Sequence, residues 1–237
     1  MLTSKISFTT FPPIAGILMI YSAIQYVVLE AVTASAWTNP TYNYATNFIS
    51  DLGNPIPNDL FNNTVVNSPF HPLMNLAFVT QGMLFMAVAF LLWRRVPGWV
   101  RGLLLALALL HGVGIILVGT FHENSTVPLA MKVPHYLGAW GAIFGGNLIA
   151  VAVGLFGARV SASPLYRVVS VVIGVVGIVS FAWLLADPAM MATQGGLLER
   201  ISVYTVVLWE LMTGALLFVG WARQRRISPE AEALAVR

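Results

Sequence analysis

The run WVRGLLLALALLHGVGIILVGT, from Trp99 to Thr120, is too long and too apolar for the surface of a water-soluble protein. After Arg101 it holds no Asp, Glu, Lys or Arg, and His111 is its one ionisable residue. About 20 such residues are enough for a helix to cross a hydrocarbon layer of roughly 30 Å. A helix also pairs its own backbone polar groups, which lipid cannot do. The run therefore predicts a transmembrane helix.

Five further apolar runs predict the fold class, which is all-α: a polytopic integral membrane bundle of six transmembrane helices. The predicted spans are about 12–37, 72–93, 99–120, 133–157, 165–186 and 201–221. Residues 1–222 form the transmembrane domain, and 223–237 form a polar cytoplasmic tail. Only 9% of the 237 residues are charged, against roughly 25% in an average soluble domain, which excludes a water-soluble fold. We expect a multi-pass protein of the cell membrane.

The basic residues predict the orientation of the bundle. Ten of the twelve Lys and Arg residues fall on one side of the predicted spans. They are Lys5, Arg94, Arg95, Arg101, Arg159, Arg167, Arg223, Arg225, Arg226 and Arg237. The positive-inside rule places this side, with both termini, in the cytoplasm. The same asymmetry accounts for the net charge of +3, so we expect no nucleic-acid partner.

Polar residues near the outer helix ends form the predicted site. The candidate catalytic residues are Asp51, His122, Glu123, His135 and Glu199. Because the chain has no cysteine, thiolate sites are excluded. Imidazole and carboxylate groups suit zinc, so His122, His135 and Asp51 are candidate ligands and a divalent metal is the candidate cofactor. Their spacing matches no dedicated metal motif, so a metal-free acid–base or headgroup site and simple loop anchoring stay open.

Each candidate has a role if the protein is an enzyme. We assign His122, His135 and Asp51 to metal or proton handling, and Glu123 or Glu199 to the general base. Two further residues, Ser50 and Arg200, are assigned to substrate binding. The fork-shaped guanidinium of an arginine matches a phosphate or a carboxylate.

Two ionisable residues, His111 and Glu210, are predicted near the middle of the third and sixth spans, and Glu30 in the outer part of the first. Ionisable groups at that depth mark a function or a buried partner. A His111–Glu210 hydrogen bond inside the bundle is one interpretation. A proton or ion path is the other.

Small residues recur three and four apart along the fourth span. They are Gly138, Gly141, Ala142, Gly145, Gly146, Ala150 and Gly154. Such a face lets helices approach closely. It predicts either central packing within one bundle or, alternatively, the seam of a homodimer or a groove for a lipid tail.

The loop from Thr38 to His71 is too long for a simple turn. Its aromatic residues Tyr42, Tyr44 and Phe48 predict a short segment in the outer membrane interface, ended by Gly53 and Pro55. We expect this loop to cover the polar pocket.

The stretch Asn47-Phe48-Ile49-Ser50-Asp51-Leu52-Gly53-Asn54-Pro55 resembles an Ile-Ser-Asp-x-Gly stretch that follows the first helix of the damage-regulated autophagy modulator proteins. The stretch Pro134-His135-Tyr136-Leu137-Gly138-Ala139 is similar to the His-x-x-Gly-Ala at the start of their fourth helix. The six-helix layout also resembles an uncharacterised bacterial membrane family and the FGF-receptor-activating protein family, which includes the eukaryotic GPI-anchor lipid-remodelling factor. These resemblances imply a site at Asp51, His135 and Glu199 with an outer-face, lipid-related role.

These observations predict that the protein recognises or modifies a membrane lipid or lipid-linked substrate in the outer pocket, by metal-assisted hydrolysis or acyl transfer. The alternative is a non-enzymatic small transporter, channel subunit or membrane regulator. In that case His111 and Glu210 line a path, and the outer residues are structural.

Overall fold

The computed structural model describes residues 11–61 and 64–235, so Lys5 and Arg237 lie outside the described residues. Six long helices account for most of it: α1 Pro13–Ala36, α2 His71–Leu92, α3 Gly98–Thr120, α4 Leu129–Phe156, α5 Pro164–Ala186 and α6 Pro188–Ala235. Each has a stretch long and apolar enough to cross a membrane. The predicted fold class and the multi-pass membrane location are therefore confirmed.

The six helices form a closed ring in chain order. Each helix packs on the next, and α1 packs on α6 to complete the ring. Helices α1 and α6 approach each other closely because Gly16 faces Gly214. A methyl group at Gly16 would lie 2.7 Å from the Gly214 carbonyl oxygen. We call the end of the ring that carries the connections 37–70 and 121–128 the loop end, and the opposite end the basic end.

The sixth helix begins at Pro188, well before the predicted residue 201. Asp187 caps it, since its Oδ1 accepts hydrogen bonds from the backbone N–H groups of Ala189 (3.0 Å) and Met190 (3.1 Å). Proline is favoured in a first helical turn, where its missing N–H costs nothing. A break in the helical dihedrals at Gln194 bends the chain before it enters the bundle. The segment expected to be a loop is therefore the first part of the helix.

The segment that was predicted to lie in the interface packs into the loop end of the bundle, and we call its residues Ser50–Gly53 the plug. Residues Ser50–Gly53 form a short 3-10 helix, and the side chain of Leu52 is fully buried. Its backbone remains paired, because Ser68 Oγ donates to the Leu52 carbonyl (2.7 Å) and Asn75 Nδ2 donates to that of Gly53 (3.0 Å). Satisfied backbone groups let an irregular segment enter a membrane protein. The structure confirms a short segment that ends at Gly53, and its position in the membrane interface stays a prediction.

A small hairpin ties the plug to the second connection at the loop end. Strands β1 Asp59–Phe61 and β2 Thr64–Val66 pair antiparallel. The Asp59 carboxylate accepts hydrogen bonds from Asn54 Nδ2 (2.9 Å), from the Ser125 backbone N–H (3.0 Å) and from the Ser125 hydroxyl. The long loop and the connection at 121–128 are thereby joined.

The small-residue face of α4 packs inside the chain. A methyl group at Gly138 would lie 2.6 Å from the Gly114 carbonyl oxygen on α3, and one at Gly154 would lie 2.5 Å from the Arg167 carbonyl oxygen on α5. Such contacts require glycine because two backbones touch. The face therefore packs centrally within the bundle, which is one of the two expected interpretations, and a homodimer stays a prediction.

Candidate functional site

Two groups of polar side chains, most of them buried or half-buried, lie at the loop end. We call Ser50, Asp51, Glu123 and His135 the carboxyl–histidine cluster, and Arg200, Glu30, Tyr42, Tyr44 and Tyr204 the Arg200 network. The plug supplies Ser50 and Asp51, the residues after α3 supply Glu123, and the second turn of α4 supplies His135. The fold thus brings together residues from two connections and from the start of α4.

His135 is 3% exposed, and both of its ring nitrogens have partners. Its Nδ1 lies 2.8 Å from the Phe121 carbonyl oxygen, and its Nε2 lies 3.3 Å from Glu123 Oε1. A carbonyl oxygen only accepts hydrogen bonds, so Nδ1 carries a hydrogen. An ionised Glu123 also only accepts, so Nε2 must then carry a second hydrogen. The geometry is that of an imidazolium–carboxylate pair.

Glu123 is the centre of the cluster. Its Oε1 also accepts a hydrogen bond from Ser50 Oγ at 2.9 Å. Burial raises the pKa of this carboxyl. The hydrogen bond and the charge of His135, together with the Ser50 hydroxyl, lower the pKa by more than burial raises it. The pKa lies below its usual range as a result. Glu123 is therefore ionised at neutral pH.

Asp51 has the opposite protonation state. Burial raises its pKa to about 8, and the charge of Glu123 adds to the rise. One hydrogen bond, from the Phe48 backbone N–H to Oδ2 (2.8 Å), opposes these effects. At pH 7 Asp51 is therefore mostly a neutral acid beside an ionised carboxylate. Carboxyl pairs whose environments separate their pKa values in this way suit general acid and general base roles.

Glu199 lies on the α6 side of the cluster. Its Oε2 accepts a hydrogen bond from the Ile49 backbone N–H, immediately before the plug. Its charge is close enough to contribute to the raised pKa of Asp51. Glu199 therefore positions the plug next to the cluster.

His122 is held apart from His135 by a different partner. Asn75 Nδ2 lies 2.9 Å from His122 Nε2, and the amide nitrogen must donate, so the ring nitrogen accepts. Burial lowers the pKa of His122, and repulsion from His135 lowers it further. His122 is thus a neutral imidazole, whereas His135 is paired with a carboxylate.

The predicted metal site is not assembled. Within the described residues, no group of three or more His, Asp and Glu side chains is arranged to hold a metal ion. The reason is that His135 uses both nitrogens on Phe121 and Glu123, while His122 uses Nε2 on Asn75. His122, His135 and Asp51 therefore do not form the ligand set that the sequence suggested.

Arg200, assigned to substrate binding from the sequence, is buried and anchors the long loop. Its Nε lies 3.2 Å from Glu30 Oε1 on α1. Its Nη1 donates to the carbonyl oxygens of Tyr44 (2.8 Å) and Asn47 (2.8 Å), and its Nη2 donates to the Tyr42 hydroxyl. The guanidinium also stacks 4.7 Å from the centre of the Tyr44 ring. These contacts occupy four of the five N–H groups of the guanidinium, so its main role in the described residues is to hold the loop.

The structure does not form the predicted hydrogen bond between His111 and Glu210, although both side chains are buried as expected. Glu210 accepts hydrogen bonds from Ser22 Oγ (3.1 Å) and Gln81 Nε2 (3.0 Å). His111 Nδ1 lies 2.7 Å from the Ala142 carbonyl oxygen, and its Nε2 has no hydrogen-bond partner among the described residues. The two residues therefore belong to separate sites within the bundle.

Sequence reasoning missed the partners that fix the site. Glu30 was noted only for its depth, yet an acidic group in an apolar span needs a cation, and Arg200 was one of two basic residues left near that end. Tyr204 completes the pairing, because its hydroxyl donates to Glu30 Oε2 (2.9 Å). Asn75 has no such signal, since a single polar residue at a helix start is common.

The family comparison extends over most of the chain. A family model described as "Protein of unknown function (DUF998)" matches residues 19–216, from within α1 to within α6. No curated protein and no solved structure matches the chain. The resemblance to the damage-regulated autophagy modulators and to the FGF-receptor-activating protein family is not confirmed by these comparisons. The protein is a multi-pass membrane protein that belongs to the DUF998 family.

Proposed function

We propose that the carboxyl–histidine cluster carries out acyl transfer or ester hydrolysis on a membrane lipid or lipid-linked substrate at the loop end. The observation that carries this proposal is the contact of the Ser50 hydroxyl with a carboxylate held by His135. A serine hydroxyl is a weak nucleophile until an adjacent base accepts its proton. Glu123 is positioned to be that base, at 2.9 Å from Ser50 Oγ.

The proposed reaction balances within the cluster. Ser50 Oγ attacks the carbonyl carbon of an ester as its proton passes to Glu123. The bond from this carbon to the leaving oxygen then breaks, and neutral Asp51 supplies the proton for the departing alcohol. Water or an acceptor alcohol then attacks the acyl carbon and gives its proton to the Asp51 carboxylate. The bond from this carbon to Ser50 Oγ breaks, and Ser50 regains its proton from Glu123, so both carboxyls return to their starting states. His135 positions Glu123 and does not itself attack.

The position of the cluster supports a lipid substrate. The cluster lies beyond the end of α3 and near the start of α4, where the spans reach the membrane surface. Ester groups of membrane lipids lie at that level. In the predicted orientation, this end faces away from the cytoplasm.

Intact-protein mass spectrometry tests the proposal. Purified protein is incubated with phosphatidylglycerol–phosphatidylethanolamine vesicles that carry a radiolabelled acyl chain. We expect wild type to gain one acyl group and to release labelled fatty acid. The acyl adduct should be absent in Ser50→Ala, and Glu123→Gln should slow its formation by about 100-fold or more. Equal acylation of wild type and Ser50→Ala would contradict the proposal, as would the absence of both adduct and fatty acid from wild type.

A matched control separates chemistry from folding. Ser35 is an exposed serine in the last turn of α1 at the same end of the bundle, and its hydroxyl donates only to its own helix. Ser35→Ala should therefore acylate at the wild-type rate. Each variant must also give the wild-type elution volume and unfolding temperature in detergent.

A second candidate function, proton or ion movement, is favoured by Glu210. This fully buried carboxyl lies within a membrane span, and its hydrogen bonds come from the neutral groups of Ser22 and Gln81. Such residues often belong to proton or ion pathways. If this function is correct, proteoliposomes with a pH-sensitive dye should show a flux that Glu210→Gln abolishes. Flux equal to that of empty vesicles would exclude it.

A further inference from the structure

An apolar cavity of about 110 Å³ lies between the helices at the basic end. It is partly open, and its walls come from all six helices and from the turns after α2 and α4. The wall residues that define it are Phe85, Leu92, Leu104, Val153, Trp209 and Leu217. It lies at the opposite end of the bundle from the carboxyl–histidine cluster.

The polar groups in the walls are paired within the protein. The hydroxyl oxygens of Tyr166 and Thr213 lie 2.9 Å apart. The Trp209 indole Nε1 donates to Ser170 Oγ at 3.1 Å. The surface offered to an occupant is therefore apolar. A cavity of this kind does not retain water, since a buried water needs two or more polar partners.

A positive charge lies at the rim of the cavity. Arg101 lines it, and its guanidinium lies 5.2 Å from the centre of the Trp93 ring. Residues 93–101 and 157–167, the two turns at this end, contain no Asp or Glu. The rim thus pairs a cation with an aromatic ring at the basic end of the spans.

We propose that this cavity binds an acyl chain of an anionic phospholipid, with Arg101 contacting the phosphate of its headgroup. An apolar cavity of about 150 Å³ in another protein takes up benzene, so the present volume accommodates a short segment of a chain. The charge at the rim then selects the lipid class. This inference goes beyond the proposed function, because it assigns a second site at the other end of the molecule.

Photo-cross-linking in vesicles tests the site. Two probes are compared, phosphatidylglycerol and phosphatidylcholine, each with a photoreactive acyl chain. We expect the phosphatidylglycerol probe to label the peptide that spans residues 89–105. Arg101→Gln should reduce this labelling about fivefold, as expected for the loss of about 1 kcal/mol from one arginine near an anionic lipid. Arg101→Lys should restore most of it, because the charge is retained.

Matched variants keep the test informative if one protein is unstable. Arg159 lies at the same end but outside the cavity lining, so Arg159→Gln should label like wild type. Ala89→Phe fills the cavity and should prevent labelling by the phosphatidylglycerol probe, whereas Ala182→Phe on an exposed face of α5 should not.

Three outcomes would overturn the inference. One is equal labelling by both probes that Arg101→Gln leaves unchanged. Another is labelling that maps outside the cavity walls. The third is labelling of the cavity only after residues 2–10 are deleted, since this would show that the segment before Phe11 is the natural occupant.

Discussion

The Arg200 network and the carboxyl–histidine cluster lie side by side at the loop end, yet they differ in their balance of charge. In the Arg200 network one guanidinium meets one carboxylate, and backbone carbonyls and tyrosine hydroxyls complete the pairing. In the cluster the imidazole of His135 pairs with Glu123, and Asp51, which is buried beside that carboxylate, keeps its proton. Burial of charge is common to both groups. The unequal number of opposite charges is what gives the cluster a proton to donate.

The largest effect should follow from breaking the Arg200 network. Arg200→Met removes one partner of a buried ion pair and leaves Glu30 without its cation. Removal of one member of such a pair typically costs about 3–5 kcal/mol. We expect this loss in the free energy of unfolding, measured by denaturant titration in detergent.

The matched control is the double variant Arg200→Met/Glu30→Gln. It should recover part of the loss, because no buried charge is left unpaired. If Arg200→Met alone unfolds within about 1 kcal/mol of wild type, the network is not the anchor described here.

The next effect concerns the pH dependence that Asp51 imposes on stability. Its pKa is about 8 in the folded protein against 3.8 for an ordinary aspartate, so the folded state binds the proton more tightly. The contribution of Asp51 to stability is therefore complete below about pH 4 and is lost as pH rises through 8. Between pH 6 and pH 8 the loss should be roughly 2 kcal/mol. The free energy of unfolding of Asp51→Asn should change less with pH over this range than that of wild type. An equal change in both proteins would contradict the protonated state assigned to Asp51.

A smaller effect should come from the contact between α6 and the long loop. A methyl group at Gly196 would overlap the carbonyl oxygen of Asn47, which accepts a hydrogen bond from Arg200. Gly196→Ala should therefore displace the loop and cost about 1–3 kcal/mol. Gly102 on α3 is the control, since a methyl group there meets nothing within 4 Å. Equal unfolding temperatures for the two alanine variants would show that the contact is not tight.

The smallest effect is expected from Tyr204→Phe. The variant keeps the ring and loses the hydrogen bond to Glu30 Oε2. Because a second partner, Arg200, still holds this carboxylate, we expect a loss of about 1 kcal/mol. Thermal unfolding in detergent measures it. A loss as large as that of Arg200→Met would mean that the tyrosine, and not the arginine, anchors Glu30.

The transmembrane spans could be predicted from the sequence, but the partners of the buried polar side chains could not. Apolar runs such as 99–120 predicted the helices, because crossing a membrane is a requirement on each segment alone. The start of α6 was misplaced because Glu199 and Arg200 resembled the end of a loop, whereas Asp187 and Pro188 start the helix. The partners of Arg200 and His111 depend on how helices pack, which no local pattern contains.

The candidate site was predicted in part for the same reason. Shared depth in the membrane correctly brought Asp51, Glu123 and His135 to one end. It did not predict that His122 pairs with Asn75 and lies outside the carboxyl–histidine cluster. It also did not distinguish Arg200, a structural cation, from a ligand for substrate.

Infrared spectroscopy of the carboxyl C=O stretch tests the central claim, that Asp51 is protonated beside an ionised Glu123. At pH 7 the protein should show a protonated carboxyl band that is absent from Asp51→Asn and that titrates near pH 8. In Glu123→Gln the same band should titrate at lower pH, because the neighbouring charge is gone. A band that persists in Asp51→Asn and disappears in Glu123→Gln would reverse the two protonation states and contradict the account.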